Sequence, residues 1–369
     1  MNTEKTNSNQ TEGANVPSAE AAIEFNRRGL FIGGCPKSGT TLLLALLDGH
    51  PQLVVLPEET FYLEDQKKYQ SLPTHQARLQ RLLEKTDLRL LGQGLAKKSA
   101  RRVASADVRD YSNFSYQRFV GLAGELINRP DMNDSLLFSE VIRAYSIVLG
   151  ADWENCVRWV EKSTSNEVRH VAMDKLYPDA RLVQVVRDPR AVFASRKKFL
   201  INRYKKYAKA HRLVREWNRS SREIPRLRRY PQRFKVVRYE DLVKNPTEIL
   251  QAVCQLIGIQ FMENLLQPTR AGEGWQGNSA FQATFSGINP STVDQWKDQL
   301  TEHEIWWIEL HCQKGMVLAG YPLQTNAKFS LLRWLKRLPD ESWSGYLRSR
   351  RASLCQAVGL LKECRYDQG

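Results

Sequence analysis

The sequence predicts an α/β protein: a central parallel sheet flanked by helices, with a helical insertion and basic helices at the C-terminus. Three observations lead there. Short apolar runs alternate with helical stretches along the chain. The first run opens through a glycine-containing loop into an apolar helix. The run Arg181–Val186 is apolar almost throughout, as a strand covered on both faces must be.

The elements follow in order. Gly29–Gly34 reads as a buried strand bounded by glycines, and Leu42–Leu47 as a helix closed by Gly49, His50 and Pro51. Gln52–Leu56 is a second strand, ending in Pro57-Glu58-Glu59-Thr60. From about 61 to 150 the pattern turns helical and polar, an insertion expected over the carboxyl edge of the sheet. Strands follow at Cys156–Glu161 and Arg181–Val186, then helices from Arg190 to Glu223, a strand at Phe234–Tyr239, and a helix from Pro246 to Gly258. Residues 1–26 are rich in Asn, Thr, Glu, Ser and Ala and have no apolar leader core, so a disordered tail on a cytoplasmic protein is expected. The domain proper is expected over 27–323 and a basic helical extension over 324–369. That extension reads as terminal helices packed on the domain, with peripheral membrane contact as the rival.

Composition narrows the function only in part. Of 369 residues, 42% are hydrophobic and 26% charged, as in soluble globular chains, but 55 Lys+Arg against 40 Asp+Glu give a net charge of +15. Such a field draws polyanions: nucleotides, sulfated or acidic substrates, membrane surfaces or nucleic acid. Six scattered cysteines without a C-x-x-C pair argue against a zinc site or a disulfide framework. No apolar stretch approaches the length of a membrane span.

The chemistry concentrates in the first loop, Gly34-Cys35-Pro36-Lys37-Ser38-Gly39-Thr40-Thr41. Strand, glycine loop and helix N-terminus together aim N–H groups at an anion. The loop approaches the Walker pattern, but its lysine precedes the second glycine by two residues and Thr40 stands in the lysine's place. That arrangement suits a donor whose transferred group carries little charge and needs no bridging metal. A second motif, Val186-Arg187-Asp188-Pro189, leaves a strand and enters a helix, with Pro189 fit for the first turn and Asp188 for its cap. Ser195 lies about two turns further on, so Arg187 and Ser195 can converge on a second phosphate.

Pro36-Lys37-Ser38-Gly39-Thr40-Thr41 resembles the 5′-phosphosulfate loop of sulfotransferases that use 3′-phosphoadenosine-5′-phosphosulfate (PAPS). Arg187 and Ser195 resemble the pair that clamps its 3′-phosphate. The resemblance implies a P-loop-type sheet, PAPS as co-substrate with no metal required, and PAP as product. It implies roles for Lys37 on the leaving oxygen and for Lys162, in Glu161-Lys162-Ser163-Thr164, at the transition state. Both Glu58 and Glu59 are candidate bases, and the Glu-Glu-Thr of the tyrosylprotein branch, whose second glutamate is the base, selects Glu59. Tyr239, in Val237-Arg238-Tyr239-Glu240-Asp241-Leu242, reads as a core aromatic or as a nucleotide contact. In the late segment Ile288–Trp296, Ser291 or Thr292 is expected to contact the phosphosulfate. Arg196 with Lys197 or Lys198 is expected to be available to the 3′-phosphate, whereas His50 reads as a capping or packing residue. The motif style is closest to the tyrosylprotein/carbohydrate and bacterial branch, and Arg270-Ala271-Gly272 only approximates the Arg-Lys-Gly of hormone-type members.

The expected acceptor is a hydroxyl or amine of a carbohydrate, lipid, peptide or small metabolite. Two rivals stand beside this reading. A P-loop kinase of a small molecule lacks an obvious magnesium aspartate. A polyanion-binding protein is disfavoured because the basic stretch Arg196–Arg238 lacks the aromatic interleaving of single-strand binders, and no specific nucleic-acid motif is found.

Overall fold

Five strands build the central sheet: β1 (Gly29–Gly33), β2 (Leu53–Val55), β3 (Arg158–Lys162), β4 (Arg181–Val186) and β5 (Phe234–Arg238). Their order is β2-β3-β1-β4-β5 and every neighbouring pair is parallel. The computed structural model describes residues 19–93, 109–204, 210–275, 277 and 287–325, with 330, 332 and 336.

Alternation along the strands sorts side chains between two cores. Phe31, Val54, Trp159 and Leu182 enter one; Leu30, Ile32, Leu53, Val55, Val160, Val183 and Val185 enter the other. The second face is covered by α2 (Thr40–Leu47) and α12 (Pro246–Ile257), whose Leu43, Leu46, Leu250 and Val253 are buried. Gly258 ends α12 in the left-handed conformation. The first face is covered by the insertion: α3 (Gln66–Gln70), α4 (His75–Lys85), α5 (Tyr116–Ile127) and α6 (Asp134–Leu149). Thr74 caps α4 through the Ala77 N–H at 3.1 Å, and Asn133 caps α6 through Ser135 and Leu136. The insertion therefore lies mainly on a sheet face rather than over the carboxyl edge, because its apolar stripes are long enough to bury Phe31 and Trp159. The segment carrying Arg109 and Tyr111 does reach the edge, at Glu58. A third core joins α8 (Pro189–Tyr204), α9 (Ala210–Ser221) and α13 (Glu302–Ala319), with Trp217, Trp306 and Trp307 buried.

Two boundaries differ from expectation. The ordered chain begins before residue 27, since Ala19–Arg27 is a helix, α1, whose Phe25 is buried edge-on to Trp153 and accepts the Trp159 indole N–H through its carbonyl. One aromatic contact and two buried hydrogen bonds, the second from the Asn26 amide to Glu140 at 3.1 Å, dock a segment that composition alone reads as tail. Strand β3 also starts and ends later than Cys156–Glu161, which makes Lys162 its last residue. Most of the C-terminal extension, including Leu331, Trp334 and Leu354, lies outside the described residues, as do residues 94–108 of the insertion. No helix among the described residues is long and apolar enough to cross a membrane.

Candidate active site at the carboxyl ends of the strands

With β3 and β4 flanking β1, the chain moves to opposite sides of β1 in its successive crossovers, so the crevice for a ligand opens beyond the carboxyl ends of β1 and β4. The loop Gly34–Gly39 lies there. Gly34 (φ +153°) and Gly39 (φ +95°) both occupy backbone regions that L side chains avoid. A Cβ at Gly34 would fall 2.3 Å from the Val185 carbonyl oxygen, and one at Gly39 would fall 2.3 Å from the Tyr239 ring. Lys37 itself has φ +76°, so the loop holds one non-glycine residue in the left-handed region. Pro36 precedes it, Ser38 is buried with its N–H on the Cys35 carbonyl, and buried Thr40 opens α2, followed by half-buried Thr41. Burial pushes the Cys35 thiol well up, which leaves it no nucleophile. The Lys37 ammonium sits 4.1 Å from the centroid of the Phe199 ring.

Arg187, just past β4, ties the loop to its neighbours. Its guanidinium donates to the Lys37 carbonyl at 3.2 Å and lies 4.2 Å over the Tyr239 ring, while its own carbonyl accepts the Trp217 indole N–H. Tyr239 opens the short helix α11 (Tyr239–Lys244) and fills the space left by Gly39. Its hydroxyl is 3.1 Å from the Thr292 hydroxyl, which brings the late segment onto the same group. Of the two late candidates, Thr292 is buried at this contact and Ser291 is exposed, its N–H held by Asn289. Asp188 caps α8 by accepting the Arg190 N–H at 2.8 Å, and its own N–H goes to buried Glu240. Ser195 is buried on α8. Two polar atoms of this constellation, the Ser38 hydroxyl oxygen and Arg187 Nε, are buried without a hydrogen-bond partner among the described residues.

Beside the loop, Lys162 at the end of β3 donates to Glu59 at 2.6 Å, with 7% of its side chain and 23% of Glu59's exposed. Glu58 points the other way. It is 2% exposed, accepts the Tyr111 hydroxyl at 2.6 Å and pairs with Arg109 at 3.0 Å. Burial raises the Glu58 carboxyl above its ordinary range, against the pull of Arg109 and Arg270. The turn that holds both glutamates is pinned by buried Glu161, which accepts the Thr60 hydroxyl at 2.8 Å, the Ser163 hydroxyl and the Asn166 amide at 2.7 Å. Ser163 in turn accepts the N–H groups of Thr60 and Phe61.

A model of the sulfotransferase family matches residues 29–263, well over half of the chain. The chain belongs to the sulfotransferase family. A Caenorhabditis briggsae protein that carries the provisional name protein-tyrosine sulfotransferase is 22% identical over 280 residues, covering 74% of this chain and 82% of its own. Among solved structures, the sulfotransferase domain of the Synechococcus PCC 7002 olefin synthase is 22% identical, covers 81% of this chain and 97% of its own, and superposes with a TM-score of 0.48. The sulfotransferase domain of the curacin biosynthetic pathway is 20% identical, with 80% and 99% covered and a TM-score of 0.47.

In this sulfotransferase the structure gathers Lys37, Arg187, Tyr239 and Thr292 in one contact chain, and Glu59 with Lys162 in another. It does not leave Arg196 and Lys197 available as expected. Arg196 pairs with Glu216 of α9 and Lys197 with Glu304 of α13, because α8 packs its basic face against those helices. His50 is a packing residue: Nδ1 accepts the Gln52 N–H and Nε2 donates to the Gln260 carbonyl, so the ring is neutral. Sequence reasoning missed Arg109, Tyr111 and the Glu161 cluster. Only Glu161, a carboxylate inside a predicted strand, carried a local signal. Gln276 and residues 278–286, which lead into the late segment, lie outside the described residues.

Proposed function

We propose that this sulfotransferase moves a sulfuryl group from PAPS to a hydroxyl acceptor by in-line displacement, releasing PAP. One observation carries the donor assignment. Among the described residues, Ser38 Oγ and Arg187 Nε are buried without partners in the two motifs that resemble the PAPS clamp. Each such group costs about 1–3 kcal/mol when left unbonded, and an anionic donor would relieve that cost. Lys37, Ser38, Thr40 and Thr41 are assigned to the 5′ phosphosulfate, with Pro36 and Gly39 shaping the loop. Arg187 and Ser195 are assigned to the 3′-phosphate, Tyr239 to the nucleoside, and Thr292, with Ser291 beside it, to the late contact.

Glu59 is assigned as the base that takes the acceptor's proton, because it is the more accessible of the two glutamates and Lys162 orients it. Lys162 and Lys37 stabilise charge on the bridging and leaving oxygens. The name of the C. briggsae relative makes tyrosine-containing peptides the first acceptors to assay. Glu59→Gln should lower kcat by about 10²- to 10⁴-fold and leave PAP affinity by calorimetry unchanged. A fully active Glu59→Gln enzyme would remove Glu59 as the base. A protein that turns over ATP and does not bind PAP would remove the donor assignment.

A further inference from the structure

The end of the sheet remote from the loop carries a second concentration of positive charge. A groove of about 720 Å³ lies there, between the first residues of β3, β4 and β5 and the C-terminal turns of α12. Its cations are Arg158, Arg181, Arg228 and Lys235, and no Asp or Glu is among the described residues that line it. Cations just outside it are matched: Arg27 pairs with Asp179, Arg28 with Glu24 and Arg233 with Asp174. The three arginines within it bond neutral carbonyls, with the Asp179 carboxylate close enough to pull on Arg158 and Arg181. Arg158 donates to Ile257 at 2.9 Å, Arg181 to Asp179's backbone at 3.0 Å and Arg228 to Leu318 at 2.9 Å. Arg181 Nε is buried without a partner among the described residues. Burial, then the positive charges of Arg181 and Arg28, push the Arg158 guanidinium down to about 10. Asp179 offsets this only in part, and like charges crowded in a concave site oppose folding until an anion arrives.

We infer that this groove is a second anion site, separate from the carboxyl-end site, that takes a small polyanion of linked phosphate or sulfate groups. Guanidinium forks match the oxygens of such groups two at a time. The volume is that of a small-molecule pocket. The one aromatic ring in the lining, Phe234, is 6% exposed, so a nucleobase finds no stacking surface. Strand β4 spans about 17 Å from Arg181 to Val186 at its carboxyl end, too far for one small ligand to serve both sites.

Tripolyphosphate and sucrose octasulfate separate the phosphate from the sulfate source. At least one of them should raise the Tm of the full chain by about 5 °C at saturation. The rise should persist in Lys37→Ala, whose donor loop is impaired, and vanish in Arg181→Gln/Lys235→Gln. Should the double variant not fold, Lys235→Glu, on a half-exposed side chain, should weaken binding by about tenfold or more in calorimetry. No rise with either probe, a rise abolished by Lys37→Ala, or one retained in the double variant would overturn the inference. So would binding to phosphatidylserine vesicles with neither probe bound.

Discussion

The contact between Gly39 and Tyr239 joins the first loop to the segment after β5, and its energy can be worked out in two parts. Gly39→Ala forces a side-chain-bearing residue into φ +95°, at about 1–2 kcal/mol. The new Cβ would also stand 2.3 Å from Cδ2 and 2.9 Å from Cε2 of the Tyr239 ring. Displacing a packed ring costs about 1–3 kcal/mol. The ring also supports Arg187 at 4.2 Å, so its displacement should disturb that guanidinium as well. Gly39→Ala alone should thus destabilise the protein by about 2–5 kcal/mol. In a Tyr239→Ala background only the backbone part remains, about 1–2 kcal/mol. Urea denaturation of the four proteins of this cycle measures the difference, an expected coupling of about 1–3 kcal/mol. PAP affinity should fall in Gly39→Ala with it. A coupling below about 0.5 kcal/mol would mean that the ring and the glycine do not constrain one another, and the reasoning would fail.

Two further outcomes follow from buried charge. Arg190 is 2% exposed, bonds Asp188 and Glu309 and stacks 4.3 Å over Trp296, so Arg190→Ala leaves two buried carboxylates without their cation and should cost about 3–5 kcal/mol in denaturant melts. Glu161 is a carboxylate raised by burial, against the hydrogen bonds of Ser163, Asn166 and Thr60, so the folded state keeps a proton that the unfolded state releases above its ordinary value of 4.5. Its contribution is therefore constant at lower pH and falls as pH rises from there through the folded value. Urea melts across that window should show a shallower decline for Glu161→Gln than for the parent, and equal slopes would refute the assignment.

Much of the fold was legible because its signals are local. The glycine-bounded run of β1, the apolar β4 and the Pro246–Gly258 helix each carry their own start, period or stop. Strands carried the site residues with them: once β1 and β4 are neighbours, the loop after one and Arg187 after the other must meet. What escaped were contacts between residues far apart in sequence whose types are individually unremarkable. Tyr239 could not be divided between core and site until the Gly39 gap and the Arg187 stack appeared on its two sides. Glu58 and Glu59 are adjacent in sequence, yet Tyr111 and Arg109 draw one inward while Lys162 holds the other at the surface of the crevice. The basic run after Arg187 was legible as charge but not as pairing, since Glu216 and Glu304 arrive from other helices.

The hydrogen bonds around Glu161 have a consequence for how such a chain can diversify. The turn carrying Glu59 takes its position from β3, through Thr60, Phe61 and Ser163, and Lys162 comes from that same strand. The insertion begins immediately beyond that turn and touches it at few points: the Asp87 N–H donates to the Glu59 carbonyl at 3.1 Å, and Arg109 and Tyr111 hold Glu58. Away from Asp87, Arg109 and Tyr111 its sequence is at liberty to drift, lengthen or be exchanged while the carboxylate and its lysine stay in register. A grafted insertion that kept those few contacts would inherit the Glu59–Lys162 pair already assembled, its geometry set by the sheet rather than by the graft.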